Sequence, residues 1–228
     1  MIRLHLVVEG QTEEAFVKRV LRDHLGAGDI VTDVRCVQTG RKRGKTYRGG
    51  VRTYSQVRND LHRWMKEDQN PEARFSTMLD FYALPRDFPF FSAAAALTDP
   101  QEKVIALERA FAEDIADRRF FPYLQLHEFE AFIFVDPAKL GLEFIGREKP
   151  IDNLTRLRDQ FQSPEDIDDG AETAPSKRII AELPEYAGRK VQAGPRIAQA
   201  IGLETLREHC IHFQSWLLQL EQLSGFSR

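Results

Sequence analysis

The first part of the chain alternates short apolar runs with longer amphipathic ones. Four short runs predict strands at residues 2–8, 29–37, 74–81 and 121–126, and the first of them, rich in β-branched and aliphatic residues, predicts a buried strand. Three runs with apolar residues at helical spacing lie between them: residues 12–25, 54–67 and 100–117. Strands that alternate with helices predict a parallel sheet with right-handed crossovers. We therefore predict an α/β core with a roughly four-stranded, mostly parallel sheet between helices.

Beyond about residue 140 the strand signals fade and helical patterns dominate. Helical spacing is found at residues 150–162, 176–182, 195–200 and 203–223, and a polar segment separates the first two. We predict a core at residues 1–140 and a helical C-terminal extension at residues 141–228 that packs on it. The two parts would form a single globular unit.

Composition narrows the class of protein without naming its function. The chain has 228 residues, enough for a substantial core, and a net charge of −3, so nucleic-acid contact would need local basic patches. Its two cysteines form no CxxC pair. The apolar run in MIRLHLVVEG is too short for a signal peptide, and no stretch is long enough to span a membrane. We expect a cytoplasmic protein without a membrane partner.

Acidic residues follow three of the four predicted strands. Glu9 follows the first, Asp80 ends the third, and Glu128 and Glu130 follow the fourth. The carboxyl ends of parallel strands meet at one edge of the sheet, where functional groups gather. Carboxylates from different elements are the ligands that Mg²⁺ and Mn²⁺ prefer. Glu13 could join this site, although an acid in a first helical turn also simply complements the helix macrodipole.

A basic, glycine-rich segment lies at residues 39–53, which we predict to be a loop. No carboxylate occurs between Val34 and Asn59. The candidate phosphate contacts there are Arg41, Lys42, Arg43, Lys45, Arg48 and Arg52. The alternative is a solvated loop, but so many unopposed positive charges favour an anionic partner. Lys177 and Arg178, which follow a proline in the polar segment, are further candidates for phosphate contact.

The segment GRKRGKT at residues 40–46 imitates a nucleotide-binding P-loop. It is one residue short between the glycines, and no apolar helix follows it. A P-loop needs a strand before it and a helix after it. We therefore do not expect this chain to hydrolyse ATP.

Five segments resemble the bacterial domain of unknown function 4276 family. They are VVEGQTEEAF, MLDFYALP, LQLHEFEAFIFVDP, ETAPSKRI and CIHFQSWLLQL, and they extend over nearly the whole chain. That family looks like a TOPRIM-type fold, the metal-binding module of OLD-type nucleases, primases and topoisomerases. The resemblance implies a metal-binding acid after the first strand, at Glu9, a second acid at Glu13, and an acidic motif after the third strand, at Asp80.

One departure from the TOPRIM pattern concerns the acidic motif after the third strand. TOPRIM proteins have Asp-x-Asp there, whereas this chain has Asp80, Phe81 and Tyr82. Asp87, Glu128 or Glu130 could replace the second aspartate. Glu130 is best placed because it opens the helix that follows the fourth strand, although an acid there could also be an ordinary helix residue.

These features together predict a Mg²⁺- or Mn²⁺-dependent nuclease that acts on DNA or RNA. The resemblance implies a bacterial antiphage defence or DNA-maintenance setting with an ABC- or AAA-type ATPase partner, which fits a chain that has no P-loop of its own. One alternative is a catalytically weak or inactive adaptor that binds nucleic acid or the ATPase. Another is a phosphatase or nucleotidyl-transfer enzyme that uses the same metal chemistry.

Overall fold

The computed structural model describes the backbone of residues 1–42, 45–48, 50–167 and 173–225, and their side chains outside residues 39–49. Its strands are β1 (Ile2–Val8), β2 (Ile30–Cys36), β3 (Gln38–Lys42), β4 (Lys45–Arg48), β5 (Ala73–Asp80) and β6 (Leu124–Gln125). Four of them form one sheet in the order β2-β1-β5-β6, and every pair in that sheet is parallel. The predicted α/β class with a four-stranded parallel sheet is confirmed.

Helices flank this sheet and make up most of the second half of the described chain. They are α1 (Gln11–Phe16), α2 (Arg22–Gly26), α3 (Tyr54–Glu67), α4 (Phe91–Ala94), α5 (Pro100–Ile115), α6 (Glu148–Arg158), α7 (Pro175–Glu182), α8 (Lys190–Ile201), α9 (Leu203–His209) and α10 (Ile211–Gln222). A π-helical turn, Val17–Leu21, joins α1 to α2. Short 3₁₀ segments are Phe81–Ala83, Phe129–Val135, Pro137–Leu142, Pro164–Asp166 and Pro184–Gly188.

The side chains of the two central strands alternate between two hydrophobic clusters. In β1, Leu4, Leu6 and Val8 belong to a cluster with α1, the Phe129–Val135 segment and the C-terminal helices, whereas Val7 belongs to a cluster with α3 and α5. This alternation follows from the two-residue period of a strand. Both faces of β1 are therefore buried, which explains its nearly continuous apolar sequence.

The basic segment at residues 39–53 is not simply a loop. The backbones of β3 and β4 pair as an antiparallel hairpin, with Arg41 opposite Thr46 and Lys42 opposite Lys45. The prediction of a loop was wrong over these strands because they lack the apolar alternation by which strands are recognised in a sequence. Arg43 lies outside the described residues.

The other differences concern the ends of elements. Strand β6 is shorter than the predicted run at residues 121–126 and is preceded by an isolated bridge between Phe75 and Phe120. The helical run at residues 203–223 is interrupted at Cys210, where α10 starts anew. The buried carboxylate of Glu165 accepts hydrogen bonds from the N–H groups of His212 and Phe213, at 3.0 and 3.2 Å. These bonds satisfy N–H groups that a helix start leaves without a partner.

Candidate functional site

Glu9 and Asp80 meet at the carboxyl edge of the sheet because β1 and β5 are neighbouring parallel strands. The N–H of Glu9 donates to the carbonyl of Met78 at 3.1 Å, which continues the ladder one step past β1. The N–H of Asp80 in turn donates to Glu9 Oε2 at 3.2 Å. The predicted convergence of these two acids is therefore present in the structure.

Glu13 joins them from the first turn of α1. The chain turns at Gly10, and the Gly10 N–H donates to Glu13 Oε2 at 2.8 Å. A Cβ atom at position 10 would lie 3.3 Å from the same oxygen, so a side chain there would crowd the carboxylate. The Glu13 side chain is 5% exposed and folds back over the turn that follows Glu9.

Glu130 lies in the 3₁₀ segment Phe129–Val135, which follows β6. The N–H of Phe129 donates to Asp80 Oδ1 at 3.1 Å, which fixes this segment against the end of β5. Glu130 is 2% exposed, and its Oε1 accepts hydrogen bonds from the Tyr186 hydroxyl at 3.0 Å and from Lys190 Nζ at 3.1 Å. Glu130 is thus buried and paired, and is not an exposed helix residue.

These residues line an open cleft of about 400 Å³, which we call the acidic cleft. Its lining residues are Glu9, Gly10, Gln11, Thr12, Glu13, Gly50, Asp80, Glu130, Ala187, Gly188, Lys190, Val191 and Gln192. The first turns of α1 and α8 both contribute to this lining, and helix N-termini carry partial positive charge. Among the described lining residues, four side chains are carboxylates and Lys190 is the one cation.

Burial and mutual repulsion make these carboxylates hard to ionise. Burial raises the pKa of Glu9 to about 7, although the hydrogen bond from the Asp80 N–H opposes the shift. Burial also raises the pKa of Glu13 and that of Glu130 to about 7. The pKa of Asp80 is raised well above its usual value by burial and then by the charges of Glu13 and Glu9. A cation in the acidic cleft would relieve this repulsion.

A family model described as Domain of unknown function (DUF4276) matches residues 8–221. The chain belongs to this family. The family membership expected from the sequence is therefore confirmed. No curated protein and no solved structure significantly matches the chain. In the part of the chain that the structure describes, every helix is too short or too polar to cross a membrane.

The acidic cleft offers suitable ligand chemistry for a divalent ion, but its oxygens are not gathered around one point. Among the described residues, no three His, Cys, Asp or Glu side chains are arranged to hold a metal ion. The cleft nevertheless offers the hard oxygen ligands that Mg²⁺ and Mn²⁺ prefer. Glu9, Asp80 and Glu130 each use only one carboxylate oxygen in the hydrogen bonds and ion pairs that the structure describes. The chemistry of this donor set therefore fits the ion.

Glu128, a candidate metal ligand in the sequence, is held elsewhere. One of its oxygens accepts a hydrogen bond from the Ser176 N–H, and the other accepts one from the Ser176 hydroxyl at 3.0 Å. Glu128 does not line the acidic cleft. It anchors the first turn of α7, where an acid complements the macrodipole.

The second acid of the TOPRIM pattern has no direct replacement beside Asp80. Tyr82 stands there and is 42% exposed. Asp87 accepts a hydrogen bond from the Tyr54 N–H at 3.0 Å, at the start of α3. Of the three replacements that the sequence suggested, only Glu130 lines the cleft.

The basic candidates divide into two groups. Gly50, two residues after the end of β4, lines the acidic cleft, and Arg52 is exposed just beyond. The side chains of Arg41, Lys42, Arg43, Lys45 and Arg48 lie outside the described residues. Lys177 and Arg178 belong to α7 and do not line the cleft. Lys177 is exposed, and Arg178 Nε donates to the carbonyl of Thr173 at 2.6 Å.

Sequence reasoning missed Lys190 and Tyr186, which both bind Glu130. These residues lie far from Glu130 in the chain, so no local pattern joins them. A weak signal existed for Lys190, because it is the first residue of α8 and a cation is unfavourable at a helix N-terminus. Such a residue is better explained by a partner outside its own helix.

Proposed function

We propose that this protein is a metal-dependent nuclease that hydrolyses nucleic-acid phosphodiesters. The main support for this proposal is that four carboxylates line one open cleft at the carboxyl edge of a parallel sheet: Glu9, Glu13, Asp80 and Glu130. These four carboxylates would hold Mg²⁺ or Mn²⁺. When bound, the ion would supply the positive charge that stabilises a phosphoryl group under attack. The placement of acids after β1 and β5 supports the TOPRIM-like interpretation of the fold.

The chain also offers groups that suit the substrate. Lys190 and the first turns of α1 and α8 supply positive charge beside the carboxylates, where a phosphate could lie. The hairpin β3–β4 meets the cleft at Gly50, so its arginines and lysines would contact the nucleic-acid backbone on either side of the cleaved bond. Arg52 would extend this contact. Such contacts are independent of base sequence and leave both DNA and RNA as possible substrates.

The absence of a P-loop sequence supports an ATPase partner. The segment at residues 40–46 forms parts of β3 and β4 in its described portion and is not followed by a phosphate-binding helix. We propose that an ABC- or AAA-type ATPase supplies any nucleotide-driven step, in a bacterial defence or DNA-maintenance system.

A second candidate function is a non-catalytic adaptor for nucleic acid or an ATPase. Two observations favour it: Tyr82 occupies the position of the second TOPRIM acid, and no three described acids surround a common point. In that case the acidic cleft would have lost catalysis but could retain a binding role. The adaptor would tolerate replacement of Asp80 with its partner binding intact.

The test is a cleavage assay on supercoiled plasmid, single-stranded DNA and tRNA with Mg²⁺ or Mn²⁺. Wild type is compared with Glu9→Gln and Asp80→Asn, whose amide oxygens can still accept the hydrogen bonds from Asp80 and Phe129. Glu72→Gln, at an exposed acid outside the cleft, is the matched control. A small phosphate ester in parallel tests for a phosphatase. The nuclease proposal requires metal-dependent cutting of polynucleotides that both cleft variants abolish and the control retains. Cutting that is equal in all variants would reject the site.

A further inference from the structure

Lys190 is the internal cation of a cleft that contains four carboxylates. Its side chain is 34% exposed, and its Nζ atom lies 3.1 Å from Oε1 of Glu130, whose side chain is 2% exposed. Among the described lining residues no other side chain carries positive charge. Lys190 therefore holds a carboxylate for which an entering cation would compete.

The charge of Lys190 also acts on Glu9 and Glu13, but the described hydrogen bonds to the other acids of the cleft come from backbone groups. Glu9 is held by the N–H of Asp80, and Asp80 by the N–H of Phe129. Glu130 differs because both of its described partners are side chains of residues far away in the sequence, Tyr186 and Lys190. The Tyr186 hydroxyl would still donate to Glu130 if Lys190 moved away. Glu130 can thus exchange one cation for another without losing its neutral hydrogen bond.

Lys190 is also placed so that its charged group can leave without unfolding anything. It is the first residue of α8, and its side chain is a flexible four-carbon stem that ends in a strongly hydrated ammonium. A third of that side chain already faces solvent, so the stem can turn outward, and the ammonium gains hydration when it leaves Glu130. The helix backbone behind it would stay in place.

We infer that Lys190 is an exchangeable counter-ion of the acidic cleft. In the metal-free protein it neutralises Glu130. An entering divalent ion takes over Glu130 and frees the ammonium, which then pairs with a phosphate of the nucleic acid. This inference rests on the proposed function, because it takes the cleft as the metal site.

Counter-ion exchange predicts that Lys190 has opposite effects on the binding of metal and of polynucleotide. It competes with the divalent ion, so that its removal strengthens metal binding. It also assists the polynucleotide, but only after the metal has displaced it, so that metal and polynucleotide favour each other's binding. Such coupling is reciprocal in free energy. A static salt bridge would also oppose the divalent ion through its charge, but it would not make the metal-dependent gain in polynucleotide binding depend on Lys190.

The first measurement is calorimetric titration of Mn²⁺ into wild type and Lys190→Gln at pH 7.5. We expect an affinity about tenfold higher in the variant, the order of effect that one unit charge has at several ångströms in a partly solvated site. Lys190→Arg keeps the charge and should stay close to wild type. Lys18→Gln, which breaks an exposed pair with Glu14, controls for the loss of a lysine elsewhere.

The second measurement is the affinity for a fluorescein-labelled single-stranded oligonucleotide with a hydrolysis-resistant phosphorothioate backbone. Mn²⁺ should tighten its binding to wild type by at least about fivefold, the lower end of typical allosteric coupling. In Lys190→Gln this enhancement should be largely lost. Thermal unfolding of each variant without metal shows that it is folded.

The outcomes separate this inference from the proposed function. An unchanged or weaker Mn²⁺ affinity in Lys190→Gln overturns counter-ion exchange, even if the wild type cuts nucleic acid. A wild type that binds no Mn²⁺ overturns it as well. If both predicted differences between wild type and Lys190→Gln are found but the wild type cuts no substrate, the exchange stands and the nuclease proposal fails. A variant that only loses stability would identify the Lys190–Glu130 pair as purely structural.

Discussion

The acids of the cleft are positioned by hydrogen bonds from a few neighbouring groups. Tyr186 illustrates this, since its hydroxyl donates to Glu130 and its ring is fully buried. Burial, and then the charge of Glu130, raise the pKa of Tyr186 well above its usual value, so the hydroxyl keeps its proton at neutral pH. Tyr186 therefore acts as a permanent donor. Small displacements of such neighbours should change the cleft directly.

Gly194→Ala should crowd two buried side chains next to the acidic cleft. A Cβ atom at position 194 would lie 3.1 Å from Phe129 Cε1 and 3.2 Å from the Tyr186 hydroxyl, and both side chains are buried. We expect the variant to lose about 1–3 kcal/mol of stability through overpacking, relative to Gly26→Ala. Position 26 has nothing within 4 Å of an added Cβ. Urea denaturation of both variants measures the difference, and equal stabilities would contradict the predicted overpacking.

His212 should make stability depend on pH. Its Nε2 lies 3.0 Å from Glu108 Oε1. Burial lowers the pKa of His212, but the hydrogen bond to Glu108 and the charge of that group outweigh burial and raise the pKa overall. A histidine whose folded-state pKa is raised contributes stability below its unfolded pKa of about 6.5 and loses it as pH rises through the folded value.

The variant His212→Gln isolates this contribution. Hydrogen bonds to charged groups contribute roughly 1.5–3 kcal/mol, so we expect the variant to lose about 1 kcal/mol more at pH 6 than at pH 8.5. His62→Gln is the control, because the half-buried His62 ring has no described hydrogen-bond partner. Urea denaturation at the two pH values gives the comparison. A loss that does not change with pH would show that the pair is not charged.

At the scale of elements, the sequence predicted those strands whose own residues are buried. Strands β1 and β5 are buried on both faces, so their apolar runs predicted them, and the parallel arrangement then predicted that Glu9 and Asp80 meet. Long-range contacts determine the rest. The break before α10 depends on Glu165, which caps it from a distant 3₁₀ segment. No pattern within residues 203–223 contains that information.

The hairpin β3–β4 was missed for a related reason. Its strands are polar, and its base is held by a contact with another element, in which the Gln38 N–H donates to Asp60 Oδ2 of α3 at 2.6 Å. The basic composition nevertheless predicted that this segment contacts phosphate groups. Under the proposed function this contact would lie beside the acidic cleft, because Gly50, two residues after β4, lines it.

Removing the charges of the hairpin should weaken polynucleotide binding without unfolding the protein. We expect glutamine at Arg41, Lys42, Lys45 and Arg48 to weaken polynucleotide binding by at least about tenfold and to flatten its salt dependence, because each phosphate contact contributes nearly one unit to the slope. The melting temperature should change little. The control replaces four charges elsewhere: Lys66, Lys103, Arg109 and Arg118. Equal loss in both variants would mean that the hairpin has no special role.

The same assay tests the basic pair on α7. If Lys177 and Arg178 contact phosphate, their replacement by glutamine should weaken binding uniformly across nucleic-acid sequences. Arg178 also lies over the ring of Phe161 at 5.7 Å and donates to Thr173, so Lys177→Gln alone is the cleaner variant. Unchanged affinity would leave the hairpin as the main contact.

Over the whole molecule, one hydrophobic cluster joins the two halves of the described chain. Phe16 of α1 stacks on Phe132 with ring centroids 5.3 Å apart, and Phe132 packs edge-on against Phe213 of α10 at 4.8 Å. The Trp216 indole N–H donates to the Ser76 hydroxyl of β5 at 2.9 Å. The C-terminal helices thus cover one face of the central sheet.

This packing predicts that residues 1–140 do not fold alone. Without the C-terminal helices the face of β1 that carries Leu4, Leu6 and Val8 would lose much of its cover, and exposed apolar surface costs roughly 25 cal/mol per Å². We expect the fragment to be unfolded or aggregated by circular dichroism and to bind no Mn²⁺. The full chain is the control.

A cooperative, soluble fragment would instead make residues 141–228 a separable extension. Even then the fragment would lack part of the acidic cleft, because both described partners of Glu130 and the Ser176 anchor of Glu128 come from beyond residue 140. A folded fragment that bound Mn²⁺ as tightly as Lys190→Gln does would show that the carboxylates suffice for the metal. In that case the C-terminal helices would serve to supply the competing cation.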